Sequence, residues 1–140
     1  MKRFLYLFCA ILVGSFLMTA CEPDTDDDDI PTDPRESYQG IWLCTESTSM
    51  SYTVDISIDT TNSTQIKMFN FHHLGPEEMA YGIVSGNTVT IPSQTLCQGT
   101  ITVEGTATMQ SNKTKIDFYY YVSDGVTLDT IQAVYTKQSS

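Results

Sequence analysis

The chain has 140 residues and a formal charge of −10, from 17 acidic against 7 basic residues. Without a basic stripe there is nothing to track a phosphate backbone or to hold the protein electrostatically on an anionic bilayer. Composition therefore argues against nucleic-acid binding and charge-driven membrane adhesion.

The chain opens with Lys2 and Arg3, then an apolar run over 4–17 broken only by Gly14 and Ser15. That run is the length of a signal-peptide core and too short for a stop-transfer helix. Met18-Thr19-Ala20-Cys21 then sets small residues directly before a cysteine. The arrangement resembles the lipobox of bacterial lipoproteins. The resemblance implies removal of 1–20 and a diacylglycerol on the Cys21 thiol. Two or three acyl chains, at about 0.8 kcal/mol per buried methylene, hold a protein on a membrane without any spanning helix.

Residues 21–36 read as a tether. Glu22-Pro23-Asp24-Thr25-Asp26-Asp27-Asp28-Asp29 repels itself and has almost nothing to bury, so an extended, solvated spacer is expected. Between 22 and 36 there are eight acidic residues and one basic residue, Arg35. An acidic stretch just after an acylated cysteine also resembles the surface-export signal of Bacteroidetes-type lipoproteins. It implies a lipid-anchored protein of the outer membrane that faces outward.

The remaining residues, 37–140, suffice for one domain with one core. Their apolar residues recur with period two. Met50, Tyr52, Val54, Ile56 and Ile58 alternate with polar neighbours, as a half-buried strand requires. Ile101, Val103, Ala107 and Met109 do the same, with Gly105 in phase on the inner face where a curved sheet bends. Ile116, Phe118, Tyr120 and Val122 make a third strand. Further strands are expected over 40–48, 65–71, 79–84, 88–91 and 127–137. Turn residues separate them at Thr60-Thr61-Asn62-Ser63, Ser85-Gly86-Asn87, Ser111-Asn112 and Ser123-Asp124-Gly125. Only Pro76-Glu77-Glu78-Met79-Ala80 offers a turn of helix.

The fold class is therefore all-β, a small antiparallel meander barrel of eight or so strands, with a two-sheet sandwich as the alternative. Gly40-Ile41-Trp42 at the start of the first strand is similar to the glycine-x-tryptophan signature of lipocalins. Ser85-Gly86-Asn87-Thr88-Val89-Thr90-Ile91-Pro92-Ser93-Gln94, Tyr120-Tyr121-Val122-Ser123-Asp124-Gly125 and Ala133-Val134-Tyr135-Thr136-Lys137 resemble segments of small lipocalin-like lipoproteins of gut Bacteroidetes. The resemblance implies a barrel closed at one end by Trp42. The chain has no sequence for the helix that lipocalins pack on the barrel, which argues against a deep ligand cavity.

Candidate chemistry is sparse. His72 and His73 have Glu77 and Glu78 nearby, but adjacent residues of a strand point to opposite faces and no third ligand stands at a metal-like spacing. They read as loop histidines at the barrel rim, with no metal and no cofactor expected. No serine or cysteine near them has a nucleophile's context, and Glu104 and Asp117 fall on the solvent face, so a non-enzyme is expected. The methionines Met50, Met68, Met79 and Met109 read as filling. Trp42, Tyr52, Phe71, Tyr81, Phe118 and Tyr120 are the candidate ligand-binding set, because buried phenols need hydrogen-bond partners and suit a small amphipathic or aromatic ligand. Tyr119 and Tyr121, outward beside Tyr135, are candidates for a docking face instead.

After loss of Cys9 and acylation of Cys21, Cys44 and Cys97 remain as a possible disulfide, with two buried free thiols as the alternative. Asp59-Thr60-Thr61, in an expected loop, resembles the O-glycosylation sites of Bacteroidetes. The functional expectation is a surface-displayed lipoprotein whose barrel binds a small molecule. The alternative is a filled barrel that binds an envelope protein or a glycan. An open or a filled interior separates the two.

Overall fold

The computed structural model describes residues 32–139, so Cys21 and the acidic run over 22–29 lie outside the described residues. Eight strands follow one another: β1 (Gly40–Glu46), β2 (Ser51–Ile58), β3 (Gln65–Phe69), β4 (Met79–Ser85), β5 (Thr88–Leu96), β6 (Ile101–Met109), β7 (Lys115–Ser123) and β8 (Leu128–Lys137). Each pairs antiparallel with the next, and β8 returns to β1 with Cys44 opposite Tyr135, closing a meander barrel. Closure leaves no sheet edge to template aggregation, and it excludes the sandwich.

Alternation fixes the inside. Tyr52, Val54 and Ile56 on β2, Ile116, Phe118, Tyr120 and Val122 on β7, and Val103, Ala107 and Met109 on β6 are buried, while their neighbours are exposed or half-buried. Gly105 pairs with Tyr120, and a Cβ there would strike the backbone of Tyr119 and Tyr120. Only a glycine lets those two strands approach so closely.

Three short 3-10 turns complete the chain: η1 (Pro34–Ser37), η2 (Phe71–His73) and η3 (Cys97–Gly99). Several boundaries differ from those read in the sequence. Turn η1 begins inside 21–36, expected to be an unstructured tether, and ends at Ser37. It is held because Arg35 pairs with Asp33 at 2.6 Å and donates to the carbonyls of Asp59 and Asn62 at 3.0 and 2.7 Å. Strand β3 stops at Phe69, not 71, because Asn70 adopts a left-handed backbone with φ 64°. Pro76 and Glu77 form a turn closed by Glu78 N–H on the Gly75 carbonyl at 3.0 Å, where a turn of helix was expected.

Strand β5 runs to Leu96, well past the expected 91, after a register shift between Ile91 and Gln94. Pro92 cannot donate to a ladder and forces that bulge. The Gln94 side chain takes over the missing pairing: its Oε1 accepts from Tyr81 N–H at 2.9 Å and its Nε2 donates to the Tyr81 carbonyl at 2.8 Å.

Candidate functional site

The two ends of the barrel differ in chemistry. At the end where η1 enters, Trp42 is fully buried and donates its indole N–H to the Tyr38 carbonyl at 2.7 Å. The Lys137 ammonium lies 5.2 Å from the Trp42 ring centroid and donates to the Ser37 carbonyl. This is a plug, with its polar atoms satisfied and no carboxylate in it.

The opposite end holds a buried acid. Strand β1 alternates inward at Trp42, Cys44 and Glu46, so the last inward position of the strand carries a carboxylate. The Glu46 side chain is 1% exposed. Its Oε1 accepts from the hydroxyls of Tyr52 and Tyr120, the latter at 2.7 Å, and lies 3.0 Å from His72 Nδ1. Thr48 Oγ1 donates to Oε2 at 3.2 Å. Burial works to raise the Glu46 pKa, but the two phenol hydrogen bonds and His72 outweigh it and hold the carboxyl below its ordinary value. Burial in turn raises the Tyr52 and Tyr120 hydroxyls, with the Glu46 hydrogen bond adding to it, so both remain donors.

Turn η2 covers this cluster. Asn70, His72 and His73 have φ of 64°, 53° and 56°, a left-handed backbone that costs non-glycine residues energy. The turn drops the Phe71 ring into the barrel, 4.8 Å from Tyr120 and 6.4 Å from Phe118 between centroids. His72 meets Tyr120 edge-on and points at Glu46, while the exposed His73 stacks on Tyr52 at 5.2 Å. Below them Phe118 stacks on Tyr135 at 4.0 Å. Tyr135 is fully buried, and among the described residues its hydroxyl has no nitrogen or oxygen hydrogen-bond partner. Burial, with Cys44, Tyr120 and Glu46 nearby, raises its pKa well above the ordinary phenol value.

Tyr52, Phe71, Phe118 and Tyr120, four of the candidate set, thus converge. Two members of the candidate set do not join them. Trp42 is at the far end because it is the first inward residue of β1. Tyr81 lies on the outer wall, since Ala80 and Gly82 hold the inward positions of β4. Tyr135, read as outward, is inward, because β8 buries Ile131, Ala133 and Tyr135. The rim position expected for the two histidines is where η2 carries them. Glu46 was missed. Its signal was present in the two-residue phase it shares with Trp42 and Cys44.

Cys44 and Cys97 are both free, a correction to the possible disulfide. Cys44 sits mid-barrel on β1, whose neighbours are β2 and β8, whereas Cys97 sits in η3 after β5. Burial pushes the Cys44 thiol up to about 12. Among the described residues no three His, Cys, Asp or Glu side chains gather as a metal cage. On the outer wall, Thr45, Thr106, Thr108, Tyr119, Gln132 and Val134 line a shallow concavity over β1 and β6 to β8.

No protein-family description matches the chain, and no curated protein is similar to it. Among solved structures it is similar to a redesigned beta barrel, b11L5F_LGL, at TM-score 0.53 and 15% identity, over 78% of this chain and 98% of that one. A second similar structure is EF1p2_mFAP2b bound to DFHBI, at TM-score 0.48 and 15% identity, over 76% of this chain and 100% of that one. The first likeness shows the fold. It is a closed β-barrel.

Proposed function

We propose that the protein is a non-catalytic, lipid-anchored outer-membrane lipoprotein that faces outward and whose lipocalin-like barrel takes a small amphipathic ligand at the Glu46 end. The observation that carries the ligand reading is the buried carboxylate, with three hydrogen-bonding side chains on one oxygen, set under a turn in left-handed backbone. A barrel serving only as a scaffold gains nothing from burying an ion, which is costly to desolvate, and an apolar filling would serve it as well. Displacing Phe71 and His72 would open a space walled by Tyr52, Phe118, Tyr120 and Tyr135. Met18-Thr19-Ala20-Cys21 supports the anchor, and the acidic run after it supports export.

A second reading, a filled barrel that docks a protein or glycan on its outer wall, has its own support. Side chains occupy the interior, and Ile41, Leu43, Val134 and Tyr119 are 38–44% exposed on the neighbouring strands β1, β8 and β7. Nuclear magnetic resonance titration with a panel of small amphipathic aromatic compounds separates the two. Shifts concentrated at Glu46, Tyr120 and residues 70–75 support the ligand reading. Shifts confined to Leu43, Tyr119 and Val134, or none at all, overturn it. The anchor is tested by Cys21→Ala, expected to release the protein from membranes. Export is tested by replacing Asp26, Asp27, Asp28 and Asp29 with alanine, expected to hide the barrel from protease added to whole cells.

A further inference from the structure

Resting on that ligand reading, we infer that the occupant of the Glu46 site is an organic monocation, an aryl- or alkyl-amine in its ammonium form. The Glu46 side chain is 1% exposed, and among its contacts in the described residues only His72 can bring a positive charge, the others being neutral hydroxyls. A buried charge left without a compensating partner is the costliest state the site can adopt. Any occupant that lifts η2 removes the His72 contact and must itself meet the charge of the buried carboxylate. A carboxylate or phosphate ligand cannot do so and would face like charge in a dry cavity. A neutral alcohol returns a hydrogen bond but no charge.

The walls point the same way. Tyr52 and Tyr120, whose hydroxyls hold the carboxylate, and the stacked pair Phe118 and Tyr135 bring aromatic rings to the same interior, and aromatic faces attract cations more strongly once water is excluded. The Tyr135 hydroxyl, fully buried and with no nitrogen or oxygen partner among the described residues, is a spare acceptor in the same interior. An ammonium carries three N–H donors and no acceptor, which matches a carboxylate with a second acceptor nearby. His72, with Nδ1 3.0 Å from Oε1, would then be the internal stand-in for the ligand's nitrogen, covering the acid while the site is empty.

Three probes of one shape test this on the full-length protein: phenethylamine, 2-phenylethanol and 3-phenylpropionate, each titrated by calorimetry and by the amide signals of residues 70–75. Phenethylamine is expected to bind at least tenfold more tightly than the alcohol, with the propionate weakest. Glu46→Gln keeps size and an acceptor oxygen but loses the charge, and should bring the amine and the alcohol to within twofold. Should that variant fold poorly, as the emission of Trp42 would report, His72→Ala is the second arm. His72 is partly exposed, and its removal should tighten phenethylamine severalfold and leave the propionate unchanged. Equal binding of the three probes at the η2 signals, or preference for the anion, overturns the cation assignment and leaves the ligand site standing. No response from any probe in wild type and His72→Ala overturns both.

Discussion

The Tyr120 hydroxyl donates to Glu46 Oε1 at 2.7 Å, tying β7 to the end of β1 across 74 positions of sequence. Both residues are buried and both point inward from strands that do not pair with each other. The bond therefore spans the lumen, and the single oxygen that accepts it also accepts from Tyr52 on β2. Three strands meet at one carboxylate, roofed by η2.

Removing the acceptor should be worse than removing the whole cluster. Glu46→Ala takes the acceptor from the buried Tyr52 and Tyr120 hydroxyls, of which only Tyr120 keeps another partner, His72 Nδ1 at 3.0 Å, and each unsatisfied buried group costs about 1–3 kcal/mol. A loss of about 3 kcal/mol in urea unfolding is expected. The triple variant Glu46→Leu, Tyr52→Phe, Tyr120→Phe removes donors and acceptor together and should recover at least half of that loss.

Acid should loosen this end of the barrel. The Glu46 carboxyl is held below its ordinary value of 4.5 in the fold, so it contributes stability that is present above that value. The contribution is lost as pH falls from 4.5 through the lower folded value. Thermal midpoints should be level above pH 5 and fall below it. Glu46→Gln should flatten the part of the fall that Asp33, Asp59 and Asp124, whose carboxyls are also lowered, do not account for. Identical profiles for wild type and variant would remove Glu46 from the acid response.

Gly105→Ala should be the most damaging single methyl in the barrel. The added Cβ meets backbone atoms of Tyr119 and Tyr120 and not the far end of a flexible chain, so relief requires β6 and β7 to separate. Overpacking of this kind costs about 1–3 kcal/mol, and a value at or above the top of that range is expected by chemical denaturation. A cost below about 0.5 kcal/mol, the size of an ordinary surface change, would mean the strands can part freely.

The two thiols should behave differently under alkylation. Cys97 is partly exposed in η3 and should react with iodoacetamide in the native protein at pH 8, although burial and the Glu78 charge raise its pKa. Cys44 is fully buried with its thiol pushed up to about 12, and should react only after denaturation. Peptide mapping distinguishes the two, and protection of both in unreduced, denatured protein would restore the Cys44–Cys97 bond.

The period-two alternation of Tyr52, Val54 and Ile56, and of Ile116, Phe118, Tyr120 and Val122, was sufficient to choose strands and to assign their inner faces. That is because side-chain direction along a strand is a local property of the backbone. The glycine at 105 was legible for the same reason, since its phase put it on the inner face. The inward direction of Tyr135 follows from its phase with Ile131 and Ala133, whereas the pairing of β1 with β8 and the distance of Trp42 from the other aromatics depend on the register of strands far apart in sequence. So does the site itself. A glutamate at the end of a weakly patterned strand, a histidine in a turn and two tyrosines share one carboxylate oxygen only after eight strands have curled into a barrel. Until then the phase that Glu46 shares with Trp42 and Cys44 marks it as inward but gives it no partners, because the tyrosines and the histidine that hold it arrive only when closure removes the water.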